Sequence, residues 1–293
     1  MFQEATEIAG GFTYPVIISV MRKSGKVTAQ IGAFVMLNSD GWAITAGHIF
    51  NRHREAERDQ KASIEWQAEF DAINTDTSVT SARKQTLLKR LRRPDPEWIT
   101  RYSYSWGFTP ATMREIHVDP LADLALVGLD GFPVDQVRNF PTFGNPARHV
   151  KPGASLCRLG YPFNVLGSSW DAPTGAFALS QDNLPLALFP LEGMHTRTAV
   201  YVESTAGGRT ARFLETSTPG LLGQSGGPIY GVDGTVWAIQ SQTRHVELGF
   251  SPTVKVDGRN TVEHQILNLG LGADVTEVIR FANEQGVAIN VQP

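Results

Sequence analysis

The chain has 293 residues, of which 41% are hydrophobic and 19% charged, as is ordinary for a soluble globular protein. Its formal net charge of −3 excludes a strong overall attraction to nucleic acid or to an anionic membrane. Cys157 is the only cysteine, so no intramolecular disulfide can form, which is typical of a reducing compartment.

The first residues predict neither an export signal nor a membrane span. They include Glu4 and Glu7 and lack the basic and then apolar layout of a secretion signal. The apolar run over 14–21 is about a third of the length that a membrane span needs. We therefore expect a cytoplasmic protein that does not contact a membrane.

Short β-strands and turns make up the start of the chain. Residues 14–21, 27–37 and 42–45 are rich in Val, Ile, Thr and Phe, and turn residues separate them. The third of these strands ends at Ala46-Gly-His48.

Residues 51–100 change to a helical pattern. Apolar residues recur at helical spacing over 54–73, and a second helix is expected over 77–93, where Pro94 and Pro96 stop it. We interpret 51–100 as a helical insertion between strands. Its second half has a run of basic residues without an acid, namely Arg83, Lys84, Lys89, Arg90, Arg92 and Arg93. Such a run is typical of a solvated helix face, and a docking surface for an acidic partner or nucleic acid is the alternative.

Strands resume after the insertion, over 113–118 and 124–129. Further short strands are expected at 155–159, 176–180, 186–188, 199–204, 212–215, 229–230 and 236–241, with turns at 206–208 and 233–234. This spacing favours β-barrels or sandwiches. A C-terminal helix is expected over 274–284, because apolar residues share one face and Gly286 follows.

The stretch 218–231 places Ser225 among Gly223, Gly226 and Gly227, before Pro228. Glycines let a backbone turn sharply and approach a ligand closely, so the serine hydroxyl and nearby N–H groups can point at one place. Acyl transfer needs that combination of nucleophile and oxyanion hole. A glycine-rich turn whose serine only satisfies backbone groups is the alternative, and this stretch alone does not decide between them.

Two further segments carry a base and a carboxylate. His48 lies at the end of a short strand in Ile44-Thr-Ala-Gly-His-Ile49, and Asp123 directly precedes an apolar strand. Asp119 is a rival carboxylate four positions earlier. Each of these residues, taken alone, fits an ordinary surface or turn role.

Taken in order, Thr-Ala-Gly-His48, Asp123-Leu-Ala-Leu and Gly-Gln-Ser225-Gly-Gly-Pro resemble the trypsin-like serine peptidases at all three signature positions. The resemblance is nearest to the intracellular and bacterial branch with the HtrA-like proteases, without an appended peptide-binding domain. It covers roughly 12–50 and 105–286 and implies a mainly β fold of two packed antiparallel β-barrels. The N-terminal barrel would span 10–140 with the insertion 51–100, and the C-terminal barrel and helix 141–293, together forming one peptidase domain.

The resemblance also implies a mechanism. Ser225 would attack a peptide carbonyl, His48 would accept and return the proton, and Asp123 would orient the imidazole. Backbone N–H groups of Gly223 and Ser225 would form the oxyanion hole. Asp123 is preferred over Asp119 because the family's aspartate directly precedes the apolar strand. No metal or other cofactor is implied, and no His or carboxylate cluster has metal-ligand spacing.

Two features of the chain differ from the family and bear on how the activity would be regulated. Secreted members have an aspartate just before the nucleophile, which binds a freed N-terminus, whereas this chain has the uncharged Gln224. Activation by N-terminal cleavage is therefore not expected, and control would come from loop ordering, a partner or the insertion. The insertion lengthens the gap between His48 and Asp123 and should emerge beside the active site.

The expected substrate pocket is uncharged. Thr218 and Pro219 fall near its base, and Ser241 and Thr243 fall on a wall, so small or medium uncharged side chains are expected at the cleavage site. The segment 162–217 would form either a lid over the cleft or ordinary barrel loops.

The sequence thus predicts a serine endopeptidase that acts on a protein or peptide substrate in the cytoplasm. The alternative is a catalytically silent, protease-like scaffold that binds partners through its cleft or through the insertion. The complete set of three motifs favours the enzyme, and the insertion mildly favours the scaffold.

Overall fold

The computed structural model of the protein describes residues 1–107, 109–180, 184–202 and 208–293. Its helices are α1 (Gln3–Gly10), α2 (Asn51–Thr75), α3 (Ser81–Arg90) and α4 (Val275–Glu284). The strands of the N-terminal part are β1 (Thr13–Arg22), β2 (Val27–Met36), β3 (Trp42–Ala46), β4 (Ile99–Trp106), β5 (Thr112–Asp119) and β6 (Leu124–Asp130). The C-terminal part has β7 (Thr142–Phe143), β8 (Ser155–Arg158), β9 (Ser168–Asp171), β10 (Ala176–Leu179), β11 (Leu191–Val202), β12 (Thr210–Thr216), β13 (Pro228–Tyr230), β14 (Val236–Glu247), β15 (Thr253–Val256), β16 (Arg259–Val262), β17 (Ile266–Asp274) and β18 (Asn290–Val291).

The first sheet is an antiparallel half-barrel in the order β4-β1-β2-β3-β6-β5. Its central strands are buried on both faces, because they separate two apolar clusters. Ile44, Leu124 and Leu126 belong to the cluster shared with the second sheet, whereas Ala125 and Val127 face the cluster of the first sheet. Burial on both faces explains why the start of β6 reads as an uninterrupted apolar run.

The second sheet closes into a ring. Its order is β13-β8-β11-β12-β17-β14, and the pairing of β13 with β14 completes the circle. The short strand β7 pairs with β14, and β18 pairs with β7, both in parallel register. The helix α4 covers this ring through Val275, Val278, Phe281 and Ala282, and Asp274 caps its first turn by accepting from the N–H of Thr276 at 2.9 Å.

These two sheets confirm the predicted fold class, which was mainly β with two packed antiparallel barrels, a helical insertion and a C-terminal helix. The insertion consists of α2 and α3, but β4 begins at Ile99, inside the last two positions assigned to the insertion. None of the helices in the described ranges is both long and apolar enough to cross a membrane.

Several sequence-based elements differ in the structure. The predicted strand 186–188 is wrong, since these residues are irregular, and α1, β4, β17 and the hairpin of β15 and β16 were not predicted. The predicted strand 199–204 is β11 as far as Val202. Residues 203–204 and most of the predicted turn 206–208 lie outside the described residues.

Candidate active site

The pairing of β3 with β6 places His48 beside Asp123. In this antiparallel pair Ala46 at the end of β3 lies opposite Leu124 at the start of β6. The chain then passes through Gly47, whose N–H donates to the carbonyl of Asp123 at 2.9 Å. A Cβ on Gly47 would lie 3.2 Å from the Leu124 backbone, so this close crossing favours glycine.

His48 and Asp123 make two hydrogen bonds. The imidazole Nδ1 lies 2.8 Å from Oδ2 of Asp123, and the backbone N–H of His48 donates to Oδ1, also at 2.8 Å. Asp123 adopts a left-handed φ of 52°, which aspartate tolerates better than most residues. The carboxylate is thus held beside Nδ1 and fixes which ring nitrogen carries the proton.

Ser241 supplies a third contact to the same carboxylate, from the second sheet. Its hydroxyl donates to Oδ2 of Asp123 at 2.5 Å. The sequence suggested Ser241 only as a pocket residue; it does line the active-site cleft, but its side chain also orients Asp123 across the boundary between the sheets.

Asp119, the alternative carboxylate, binds other groups and not His48. It forms ion pairs with Arg209 and Arg280 and accepts from the N–H groups of Leu121 and Ala122 at 3.1 Å. Burial raises the pKa of Asp119, but the hydrogen bonds from Arg209, Ala122 and Arg280 outweigh it and leave the pKa below its ordinary value. The structure therefore pairs His48 with Asp123 and not with Asp119.

The loop that carries Ser225 is held between the two sheets. The carbonyl of Ser225 accepts from the N–H of Ala33 on β2 at 2.8 Å, and the N–H of Gly226 donates to Gln240 on β14 at 2.8 Å. Gly226 has a φ of 86°, and a Cβ there would overlap the side chain of Thr45 and the carbonyl of Ala33. This contact with the first sheet brings Ser225 to the same cleft as His48 and Asp123.

The hydroxyl of Ser225 makes no hydrogen bond to His48 in the described part of the chain. Catalytic hydrogen bonds of this kind are often long without substrate and tighten in the substrate complex. The serine is half-buried at the cleft, so its hydroxyl is accessible to a bound peptide.

Two backbone N–H groups near Ser225 are available to a ligand. In the run from Gly223 to Gly227, the N–H groups of residues 224, 226 and 227 donate to Leu221, Gln240 and Gln224. Those of Gly223 and Ser225 have no acceptor among the described residues. Gly223 has a φ of 97°, and its carbonyl turns away to accept from the N–H of Tyr161 at 2.8 Å. This arrangement suits an oxyanion hole.

Gln224 is fully buried with its amide satisfied. Its Oε1 accepts from the N–H of Leu221 at 3.0 Å, and its Nε2 donates to the carbonyl of Phe189 at 3.4 Å. A buried carboxylate at this position would need a cationic partner, whereas the neutral amide needs only these two backbone groups.

The active-site cleft has a volume of about 800 Å³. Besides the three candidate catalytic residues, its lining includes Pro219, Ser241 and Thr243. Thr218 does not line it: its side chain lies behind the wall, and its carbonyl accepts from Gly270 at 2.9 Å. Arg54 of α2 also lines the cleft, so the insertion does emerge beside the site.

A second depression, the apolar groove, also has His48 and Ser225 in its lining. It measures about 860 Å³, and its lining includes Phe163, Val165 and Leu222, which are 76%, 76% and 94% exposed. In the described part of 162–217, β11 and β12 belong to the second sheet and β9 and β10 form a separate hairpin, so the segment contributes strands and a wall of the groove.

The described residues contain no group of three or more His, Cys, Asp or Glu side chains that could hold a metal ion. Cys157 is buried in the core shared by both sheets, and burial raises the pKa of its thiol.

Comparison with protein-family models found no match, and comparison with curated proteins found none either. Among solved structures, the chain is similar to the crystal structure of the Rv3671c protease from M. tuberculosis in its active form. The two are 14% identical, the match covers 98% of this chain and 86% of the other, and the TM-score is 0.49. The strand order and pairing described above establish the fold of this chain, and the likeness adds nothing to them about activity.

Proposed function

We propose that the protein is a serine endopeptidase of the trypsin-like type, acting through Ser225, His48 and Asp123. The observation that carries the proposal is the meeting of three sequence-distant segments at one cleft. His48, hydrogen-bonded to Asp123, and Ser225 line this cleft, and the N–H groups of Gly223 and Ser225 have no acceptor among the described residues. These are the nucleophile, base, orienting carboxylate and oxyanion donors of acyl transfer.

The reaction follows from these positions. His48 accepts the proton of the Ser225 hydroxyl as its oxygen attacks the peptide carbonyl, and the N–H groups of Gly223 and Ser225 stabilise the resulting oxyanion. Asp123 holds the proton on Nδ1, so that Nε2 is the acceptor. The imidazolium then protonates the leaving amine, and water hydrolyses the acyl-enzyme by the same steps.

The substrates that suit this site are proteins or peptides. The active-site cleft and the apolar groove both have His48 and Ser225 in their lining, so an extended chain can cross the nucleophile. A cytoplasmic location, the HtrA-like branch and the division into barrels over 10–140 and 141–293 remain predictions from the sequence.

Covalent labelling tests the proposal. A fluorophosphonate probe should modify the folded protein at Ser225, and Ser225→Ala should abolish both labelling and peptide hydrolysis. Ser24→Ala, at an exposed turn serine, is the matched control and should change neither. Unlabelled Ser225 in folded protein that hydrolyses no peptide in a diverse library would contradict the proposal.

The scaffold alternative has one observation in its favour. The helix α3 buries none of its side chains, and five of the six basic residues of the run that begins at Arg83 are exposed. Such a surface could bind an acidic regulatory partner. Pull-down with Ser225→Ala, compared with the same protein carrying Lys89, Arg90, Arg92 and Arg93→Ala, separates capture through the cleft from capture through α3.

A further inference from the structure

Arg158 is a buried cation with an unused donor. It lies on β8, where it is 1% exposed. Its Nη2 donates to the hydroxyl of Thr216 on β12, but its Nη1 is buried without a hydrogen-bond partner in the described part of the chain. Buried guanidinium groups are normally paired, because an unpaired buried charge is costly.

No carboxylate of the described residues neutralises Arg158 by an ion pair. Glu215, next to Thr216, is already engaged: its Oε1 accepts from Arg197 at 2.9 Å and from Thr196 at 2.7 Å. Burial lowers the pKa of Arg158 to about 10, so the side chain still carries its charge at neutral pH. The protein thus holds a positive charge that lacks an internal counterion.

The guanidinium lies against the walls of the active-site cleft. A Cβ on Gly270 would overlap it, and the same Cβ would lie 2.6 Å from the carbonyl of Thr218. Gly270 pairs with Thr243, and the hydroxyl of Thr243 donates to the carbonyl of Gly220 at 2.7 Å. Both Thr243 and Gly220 line the cleft, so Arg158 lies directly behind this wall.

Two more polar atoms in this region lack partners. The hydroxyl of Thr218 and Oε1 of Gln240 are both buried and unpaired in the described residues, and Gln240 lines the cleft. A hydroxyl and a guanidinium N–H can donate to the same carboxylate, and the bond from the guanidinium is charge-assisted. The N–H of Arg158 and the hydroxyl of Thr218 therefore lack an acceptor, whereas Oε1 of Gln240 lacks a donor.

We propose that Arg158, lying behind the wall of the active-site cleft, makes the pocket for the residue before the scissile bond electropositive, and that this pocket therefore binds the carboxylate of Asp or Glu. The inference rests on the proposed peptidase function. It differs from the sequence-based expectation of an uncharged residue, which considered only the segments nearest to Ser225. Arg54 and His245, which also line the cleft, place further cationic or protonatable groups on the approach of an acidic side chain.

Matched peptides test the proposal. Two fluorogenic peptides that differ only in Glu or Gln at the cleavage position have side chains of equal size, so their ratio of kcat/KM reports charge. We expect the Glu peptide to be cleaved at least about 100-fold more efficiently. Arg158→Met should bring the ratio close to one, and Arg158→Lys should retain part of it. A folding defect would lower both rates and leave the ratio unchanged.

Binding to Ser225→Ala protein separates this inference from the proposed function. The same two peptides, measured by calorimetry, should show tighter binding of the Glu peptide even if Ser225 were not a nucleophile. Equal binding and equal cleavage of the two peptides, or a preference for small uncharged or for Lys and Arg side chains, overturns the acidic pocket. Binding only of peptides with a free C-terminal carboxylate overturns it as well.

Discussion

Asp123 collects hydrogen bonds from two sheets, and its orientation should therefore govern the rate of the chemical step. His48 contributes its ring and its backbone N–H, and Ser241 contributes its hydroxyl. Removing the carboxylate charge allows the wrong imidazole tautomer, whereas removing Ser241 only loosens the carboxylate. The two losses should differ greatly in size.

We therefore predict that Asp123→Asn lowers kcat by about 10⁴-fold with little change in KM. Ser241→Ala should lower kcat by about tenfold, the equivalent of about 1.4 kcal/mol. Steady-state kinetics and thermal melts of each variant provide the measurement. Asp119→Asn makes the same chemical change four positions away and is the control for catalysis; a loss of kcat as large as that of Asp123→Asn would contradict the assignment.

At the scale of elements, the loop 223–228 depends on a glycine where it crosses the first sheet. Gly226 and Gly25 adopt nearly the same conformation, with φ of 86° and 83°. A Cβ on Gly226 would overlap Thr45 and Ala33, whereas a Cβ on Gly25 would meet nothing within 4 Å. Alanine substitutions at these two glycines therefore separate the cost of the left-handed backbone from the cost of the close contact between the sheets.

Gly25→Ala should lower the free energy of unfolding by about 1–2 kcal/mol, because only the left-handed backbone disfavours the side chain. Gly226→Ala should lower the free energy of unfolding by the same amount and by about 1–3 kcal/mol more, because the new Cβ overlaps its neighbours. It should also displace Ser225 and reduce kcat. Urea unfolding and kinetics on both variants test this. Equal destabilisation by the two substitutions would show that the loop does not depend on this contact.

At the scale of the whole molecule, Asp119 ties the first sheet to the second. It ends β5 and pairs with Arg209 at the edge of β12 and with Arg280 on α4. Because its pKa is lowered in the folded state, the ionised carboxylate stabilises the protein at pH values above about 3.9, its pKa in an unfolded chain. This stabilisation is lost as the pH falls through the lower folded-state pKa.

Asp119→Asn should accordingly lower the free energy of unfolding by about 2 kcal/mol at pH 7. The difference from the wild-type protein should shrink as the pH falls below about 4, where the wild-type carboxyl becomes protonated too. Denaturant titrations of both proteins between pH 3 and pH 7 would measure this difference. A difference that stays constant over this range would indicate that the ion pairs contribute nothing to stability.

Local patterns in the sequence determined much of the molecule. Helical spacing identified α2, α3 and α4, and the residues around His48, Asp123 and Ser225 identified the candidate site before any distance was known. These features depend on residues close together in the chain, whose side chains and turn preferences act locally. The missed strands β4 and β17 mark the limit of that approach.

Only the tertiary structure decided which distant groups meet. In the structure Asp119 pairs with Arg209 and Arg280, whereas Asp123 binds His48 and Ser241. Arg158 lies behind the wall of the active-site cleft. The physical reason is that strand pairing joins residues far apart in the chain, so the register of one sheet against another sets each partner. The role of a buried charge such as Arg158 depends on those neighbours, which lie in other segments of the chain.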